Sequence, residues 1–164
     1  MSIPSFLTIS RVDDGPALAG ALFKRRFDQQ LVRFGDHYVA LYRAGEGRFA
    51  TLGYLHVTAA SEIALIGGGC TDNQMLESMD HAHSAALRAS GGVLLHMLLY
   101  ILETRTNDFE AFFGVCGNPR AYEVLLRIGF KPTPDPKLLI FTNRALGASR
   151  TELLIEKAAS FMPF

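Results

Sequence analysis

The stretch N-P-R-A-Y-E-V-L-L-R-I-G-F, residues 118–130, carries the clearest structural signals of this 164-residue chain. Its first two residues predict a helix start, because an asparagine side chain accepts a hydrogen bond from the first helical turn and a proline there loses no N–H that the helix needs. Gly129 predicts the helix end, since glycine readily adopts the left-handed conformation of a helix stop. We therefore expect a strand, Ala111–Val115, followed by a capped helix.

One face of this helix is apolar. Its hydrophobic residues recur at the spacing of helical turns and predict a stripe that packs on a sheet; they are Ala121, Val124, Leu125 and Ile128. Phe130 follows the glycine stop, where it is expected to close the turn against the core. The segment thus predicts one strand–helix unit of an α/β fold.

The order of residues in this helix resembles the late strand–helix motif of the GNAT acyltransferase superfamily. The matching residues are Asn118, an alanine three residues later, and Gly-Phe eleven and twelve residues later. The resemblance implies an acyl-CoA site in which Asn118 takes part. Any strand followed by a capped helix with a glycine stop carries similar residues, so a purely structural interpretation stays open on this motif alone.

A second segment, Arg88-Ala89-Ser90-Gly91-Gly92-Val93, resembles the pyrophosphate loop of the same superfamily, R/Q-x-x-G-x-G/A. Val93 stands where the family has Gly or Ala, and its branched side chain is expected to crowd a diphosphate. A predicted helix, Val93–Arg105, follows, and the free amides of a helix start favour phosphate. The resemblance implies that an acyl-CoA, such as acetyl-CoA, is bound by Arg88, Ser90, Gly91, Gly92, Val93 and Asn118.

Three consecutive glycines, Gly67, Gly68 and Gly69, form an alternative loop for the cofactor. Their backbone amides have the freedom to form a nest for a pyrophosphate or carbonyl oxygen. The simpler interpretation is a sharp exit from the sheet, with Thr71 or Asp72 capping the next helix, and the lack of a nearby lysine or arginine favours it. A helical segment, Asn73–Ala89, separates these glycines from the Arg88 loop, whereas the family's strand runs straight into its loop.

The remaining periodicity predicts an α/β (α+β) fold of the GNAT type, with a mixed, mainly antiparallel central sheet flanked by helices. Residues 1–164 are expected to form a single domain with a helical insertion at about 73–89. Besides the segments above, the pattern predicts strands at Phe6–Arg11, His37–Arg43, Phe49–Val57, Glu62–Ile66 and Leu138–Thr142, and helices at Pro16–Phe34 and Thr151–Phe161.

Composition excludes several classes of partner. Sixteen basic and sixteen acidic residues cancel, with a pI near 7.0, so there is no electrostatic footprint for nucleic acid or an anionic membrane. The longest apolar block, Val93–Leu102, is shorter than the roughly 20 residues of a membrane span. Two cysteines and no secretory signal predict a cytoplasmic location. The apolar end, residues 161–164, predicts either a homodimer contact or docking on the chain's own core.

The resemblance implies direct transfer of an acyl group from acyl-CoA to an amine, with the protein positioning both. Many members have a proton-donating tyrosine seven residues after the motif asparagine, but Leu125 stands there in this chain. Tyr122, near the start of the same helix, is the substitute catalytic candidate. Its phenol otherwise covers the edge of the sheet.

Other reactive residues have simpler structural interpretations. Cys70 and Cys116 lack a paired histidine and are typical of small core residues. Three polar residues are possible bases or merely surface and strand-edge groups: His56, Glu62 and Glu77. Two further histidines, His81 and His83, lie two apart on a predicted helix and point to different sides, so no metal site is expected.

The sequence therefore predicts an acyl-CoA-dependent N-acyltransferase that acts on an unidentified amine of a small molecule or protein. The alternative is a noncatalytic domain that binds acyl-CoA or a partner and keeps the fold. The departures at Val93 and Leu125 and the inserted helix favour it. A third interpretation is transfer to an acceptor that is not an amine.

Overall fold

The computed structural model describes residues 3–45 and 47–164. The strands are β1 (Leu7–Val12), β2 (Asp36–Gly45), β3 (Arg48–Ala60), β4 (Ile63–Thr71), β5 (Ala111–Val115), β6 (Lys131–Pro132) and β7 (Leu138–Phe141). The helices are α1 (Gly15–Phe27), α2 (Asn73–Ser78), α3 (His81–Ala89), α4 (Val93–Arg105), α5 (Pro119–Arg127) and α6 (Ala148–Ala159).

Seven strands form one mixed, mainly antiparallel sheet in the order β1-β2-β3-β4-β5-β7-β6. Strand β1 is antiparallel to β2, and β7 is antiparallel to both β5 and β6. The pair β4–β5 is parallel, and its register runs from Ile63 opposite Ala111 to Ile66 opposite Gly114. Strand β4 continues beyond this last pair to Thr71. The predicted fold class is confirmed.

The chain divides into two compact units. The first unit holds the described residues up to His56 together with Gly68–Tyr100, and the second unit holds Val57–Gly67 and Ile101–Phe164. The core of the first unit contains Ala19, Leu22, Phe23, Leu31, Val39, Tyr54 and Cys70. The core of the second unit contains Ile63, Leu65, Ala111, Phe113, Leu138, Ile140, Leu154 and Ala158.

Successive residues of β3 point to opposite faces of the sheet, as the pleat of a strand requires, and a helix of the first unit lies on each face. Tyr54 contacts α1, where its ring lies edge-on to Phe23 with centroids 5.8 Å apart. Gly53 lies against α4. A Cβ built on this glycine would be 2.7 Å from Cγ1 of Val93. Strand β3 is thus covered by a helix on each face.

The strand–helix segment at residues 111–130 folds as predicted. The side chain of Asn118 caps α5 by accepting a 2.9 Å hydrogen bond from the amide of Ala121. Gly129 ends the helix with a φ of 97°, and Phe130 is buried against Phe141, with ring centroids 5.5 Å apart. Strand β5 and helix α4 also have the predicted bounds.

The first helix is shorter than predicted. It ends at Phe27 instead of Phe34, because Asp28 adopts a left-handed φ of 54° and its amide donates to the carbonyl oxygen of Lys24. Phe34 lies outside the helix and is exposed, whereas Leu31 still packs into the core of the first unit. The apolar residues therefore keep a helical spacing beyond Phe27, where the helix itself ends.

Two further segments differ from their predicted form. The predicted helix at residues 73–89 is two helices, because Asp80 caps a new start by accepting from the amide of His83. Helix α6 begins at Ala148 instead of Thr151, and the hydroxyl of Thr151 donates within its first turn to the carbonyl oxygen of Gly147. The helical insertion relative to the family stays a prediction.

The apolar end of the chain docks on its own unit. Met162 and Phe164 pack against the core of the second unit, and Phe161 is exposed. Among the described residues, no single helix has the length and hydrophobicity to cross a membrane; α3 and α4 pass such a test only as a pair, by length and composition, and they are bent by 56° at the break between them.

Candidate functional site

The turn between α3 and α4 in the first unit depends on two glycines with left-handed backbones. Gly91 has a φ of 104° and Gly92 a φ of 86°. Their amides donate to the carbonyl oxygens of Arg88 and Leu87, at 3.1 and 2.8 Å, and so close the end of α3. The amides left for an anion are those of the first turn of α4, which begins at Val93, since a first turn lacks acceptors within its own helix.

The expected crowding of a diphosphate by Val93 is wrong. Val93 is only 3% exposed, and its Cγ1 lies 2.7 Å from the position that a Cβ on Gly53 would take. The branched side chain therefore faces the sheet, while the backbone amide belongs to the helix start. The departure from the family pattern at Val93 therefore leaves the amides at the start of α4 uncovered by this side chain.

Ser90 and His96 hold this turn from inside the first unit. The Ser90 hydroxyl donates to the carbonyl oxygen of Leu87 at 3.0 Å and lies 2.8 Å from Nε2 of His96. His96 is 1% exposed, and burial lowers its pKa, so the ring is neutral near pH 7 and its Nε2–H donates to the serine. The signal for His96 in the sequence is a lone histidine in an otherwise apolar helix.

The guanidinium of Arg88 points back along α3. Its Nη2 donates to the hydroxyl of Ser84 at 2.9 Å, and Ser84 is itself buried. Arg88 is exposed and lies one turn before the glycines. It supplies positive charge beside the turn, with one donor already engaged.

The three glycines proposed as an alternative loop lie within strand β4, so their prediction as a loop is wrong. The strand persists to Thr71, and the next amide, of Asp72, donates to the carbonyl oxygen of Leu52 at 2.9 Å. Gly68 has a φ of 62°, and a Cβ built on it would lie 2.8 Å from Nδ1 of His56. Because Gly68 has no side chain, the ring of His56 fits beside its backbone. Asp72 caps α2, as predicted.

The remaining predicted site residues, Asn118 and Tyr122, lie in the second unit on α5. The Asn118 side chain is engaged in capping. Leu125, at the position of the family's tyrosine, is buried, and its Cδ1 lies 2.8 Å from a Cβ built on Gly114. Tyr122 is half-buried, and no hydrogen bond of its phenol is found within residues 3–45 and 47–164.

Both cysteines are buried and carry free thiols, Cys70 in the first unit and Cys116 in the second. Burial raises the pKa of Cys70 to about 12 and that of Cys116 to about 11. Both thiols are therefore protonated near pH 7, and a nucleophile needs the thiolate. The interpretation as small core residues is favoured.

Two other polar candidates are engaged elsewhere. Glu62 accepts from Lys157 at 2.9 Å and from Arg150 at 3.2 Å, and these partners hold its pKa below the usual range. His83 stacks on Phe6 with centroids 4.2 Å apart, and its Nδ1 lies 3.1 Å from the hydroxyl of Tyr42. In the described part of the chain, no group of three or more His, Cys, Asp or Glu is arranged to hold a metal ion.

No model of a protein family and no curated protein sequence matches the chain. Solved structures match by fold at low identity. The ribosomal-protein-S18-alanine N-acetyltransferase from Escherichia coli is 13% identical, with 87% of this chain and 97% of that chain covered and a TM-score of 0.55. The ribosomal-protein-S5-alanine acetyltransferase from Vibrio fischeri is 10% identical, with coverage of 89% and 98% and a TM-score of 0.50.

A third similar structure contains coenzyme A and L-arginine. It is the N-acetylglutamate synthase from Neisseria gonorrhoeae, 14% identical, with a TM-score of 0.53; the match covers 86% of this chain and 34% of that protein, so the chain spans about a third of its length. The matched structures are acetyltransferases of the GNAT fold. The resemblance seen in the sequence is therefore confirmed at the level of architecture, and the chain has the GNAT fold.

Proposed function

We propose that the chain is an acyl-CoA-dependent N-acyltransferase with acetyl-CoA as donor and an amine as acceptor. The observation that carries the proposal is the parallel β4–β5 pair, whose register ends at Ile66 and Gly114 while β4 continues to Thr71. A strand edge that has lost its partner offers backbone donors and acceptors to an extended ligand. The pantetheine arm of a CoA thioester is such a ligand.

The diphosphate of the donor is assigned to the start of α4. The first-turn amides of this helix carry partial positive charge, and the turn before them is shaped by Gly91 and Gly92. Arg88 adds charge next to the turn. The coenzyme A in the structure of the similar N-acetylglutamate synthase supports this assignment of ligand class.

The transfer itself needs positioning and charge stabilisation. The amine attacks the thioester carbonyl directly, and the carbonyl oxygen accepts a hydrogen bond from an amide of β4 beyond Ile66. Tyr122 is proposed as the proton donor to the departing thiolate. Two similar proteins are by name alanine acetyltransferases of ribosomal proteins, so a peptide with a free amino-terminal alanine is a reasonable first acceptor to test.

A second candidate function is a noncatalytic acyl-CoA-binding domain. The observation that favours it is Leu125, which packs on Gly114 at the position where the family has a tyrosine. This candidate keeps donor binding but lacks transfer.

Calorimetric titration with acetyl-CoA and longer acyl-CoAs tests donor binding, and thiol release tests transfer. We expect saturable binding, followed by CoA release that depends on an acceptor. The acceptors to offer are an alanine-terminated peptide, L-glutamate and a simple diamine. Binding without release would favour the noncatalytic domain, whereas no binding of any acyl-CoA would reject both candidates.

A further inference from the structure

His56 carries a buried polar atom that lacks a partner. The side chain is 5% exposed, and its Nδ1 has no hydrogen-bond partner among the residues that the structure describes. Buried polar atoms in folded proteins are almost always paired, because an unpaired one loses its hydration without compensation. An exception at a titratable group is a candidate for contact with a ligand.

The backbone of β4 lies directly beside this atom. A Cβ on Gly68 would be 2.8 Å from Nδ1 of His56 and 3.0 Å from the ring of Phe23, so only glycine leaves room here. Gly68 also has a φ of 62°, which glycine tolerates and other residues rarely adopt. It lies two residues past Ile66, the last residue of β4 that pairs with β5. His56 therefore adjoins the part of β4 to which the thioester carbonyl is assigned.

In the described part of the first unit, the groups next to His56 are paired or protonated, whereas its own Nδ1 is unpaired. Nδ1 of His37 is 2.8 Å from the hydroxyl of Tyr54, and both residues are buried. The thiol of Cys70 is protonated, since burial raises its pKa. Burial, reinforced by His37, lowers the pKa of His56 to about 4, so its ring is neutral near pH 7. The charged residues acting on this cluster are Arg25, Arg26 and Asp72 beside Cys70, and Asp14 and Asp36 beside His37.

We propose that His56 is a catalytic base whose Nδ1 accepts the proton that the acceptor amine loses during acyl transfer. The inference rests on the proposed function. The amine nitrogen forms a bond to the thioester carbon, and the nitrogen becomes far more acidic as that bond forms. Nδ1 of His56 takes its proton, the C–S bond breaks, and the thiolate receives a proton, while His56 releases its own to water. The products are the amide and free CoA.

Two variants test this role. His56→Gln keeps a polar side chain that cannot carry a proton, and we expect it to lower kcat at least about 100-fold while acetyl-CoA binding is unchanged. His56→Ala should lose as much and regain activity when imidazole is added, which a structural role would not produce. The matched control is His83→Gln, which removes another half-buried histidine of the first unit and should keep its rate.

The outcomes distinguish a failure of the role of His56 from a failure of the proposed function. Folded variants that bind acetyl-CoA and turn over at the wild-type rate, or an alanine variant that imidazole does not restore, would overturn the role of His56 alone. A wild-type protein that binds acetyl-CoA but releases no CoA with any amine would overturn base and transfer together. A wild-type protein that binds no acyl-CoA would reject the proposed function itself.

A measurement on the unmodified protein covers the case in which the variants fail to fold. The ¹⁵N shifts of histidine distinguish a protonated ring nitrogen from one with a free lone pair. We expect Nδ1 of His56 to be unprotonated at pH 7, with the proton on Nε2. A protonated Nδ1 would overturn the proposal, because that atom could not then accept a proton.

Discussion

Gly53 and Gly114 have no side chain, and each leaves room for a large side chain to pack against its strand. A Cβ on Gly53 would lie 2.7 Å from Val93, and one on Gly114 would lie 2.8 Å from Leu125. Both contacts involve residues at which the chain departs from the pattern of the family it resembles. The branched side chains therefore fill spaces that the glycines open, which explains how the fold accommodates them.

Replacement of Gly114 by alanine tests this packing. The added methyl would collide with Leu125, so we expect a loss of about 1–3 kcal/mol in the free energy of unfolding. Urea denaturation measures it, and Gly117→Ala, where an added Cβ meets nothing within 4 Å, is the control. Combining Gly114→Ala with Leu125→Ala should lessen the penalty of the first change. Equal stability of the two single glycine variants would contradict the contact.

Tyr122 is tested by removal of its hydroxyl alone. If the phenol protonates the departing thiolate, Tyr122→Phe should lower kcat by roughly 10- to 100-fold and leave acetyl-CoA binding unchanged. Steady-state kinetics beside calorimetric titration separates the two effects. A fully active variant would show that the phenol of Tyr122 is not the proton donor and only covers the edge of the sheet.

At the scale of elements, the turn from α3 to α4 both ends one helix and begins the next. The amides of Gly91 and Gly92 close α3, and the next residues open α4 with unsatisfied amides. The hydrogen bond between half-buried Ser90 and buried His96 holds the turn in place. The conformation at the start of α4 therefore depends on how the preceding helix ends.

Gly92→Ala probes this turn without a steric clash. Nothing lies within 4 Å of an added Cβ, but the φ of 86° is strained for alanine, at about 1–2 kcal/mol. We expect weaker acetyl-CoA binding together with a modest loss of stability. Gly20→Ala, where the added Cβ also meets nothing, is the control within a helix. Unchanged affinity in a folded Gly92 variant would separate the diphosphate from this turn.

At the scale of the whole molecule, buried histidines make the fold sensitive to acid. Burial lowers the pKa of His37, His56 and His96 below the ordinary value of 6.5. The unfolded chain then binds more protons than the folded chain between pH 6.5 and the lowered values, so stability falls as the pH falls through that window. His56, with a pKa of about 4, contributes the span from 6.5 to about 4.

Unfolding measured from pH 7 to pH 4 checks this linkage. For His56 alone the loss is roughly 3 kcal/mol, from the size of its pKa shift. We expect His56→Gln to reduce the slope of stability against pH in this window, whatever its effect at pH 7. An unchanged slope would mean that His56 is solvated in the folded state.

Signals that are local in the chain were enough to predict several elements. An asparagine cap and a glycine stop delimit α5, and α4 and β5 have the predicted bounds, because capping and turn conformations depend on residues a few positions apart. The mixed sheet and the GNAT architecture followed from the order of such elements and from the two motifs. The sequence by itself therefore determined the fold class and the positions of its main strand–helix units.

Only the tertiary structure decided how the candidate site is built. The side chain of Val93 turns inward because Gly53, distant in sequence, leaves it room, and Gly68 lies in a strand beside His56 and not in a phosphate loop. Burial by residues far along the chain leaves Nδ1 of His56 unpaired and lowers the pKa of its ring. Side-chain direction, burial and proton affinity arise from contacts between distant segments, and such contacts exist only once the chain has folded.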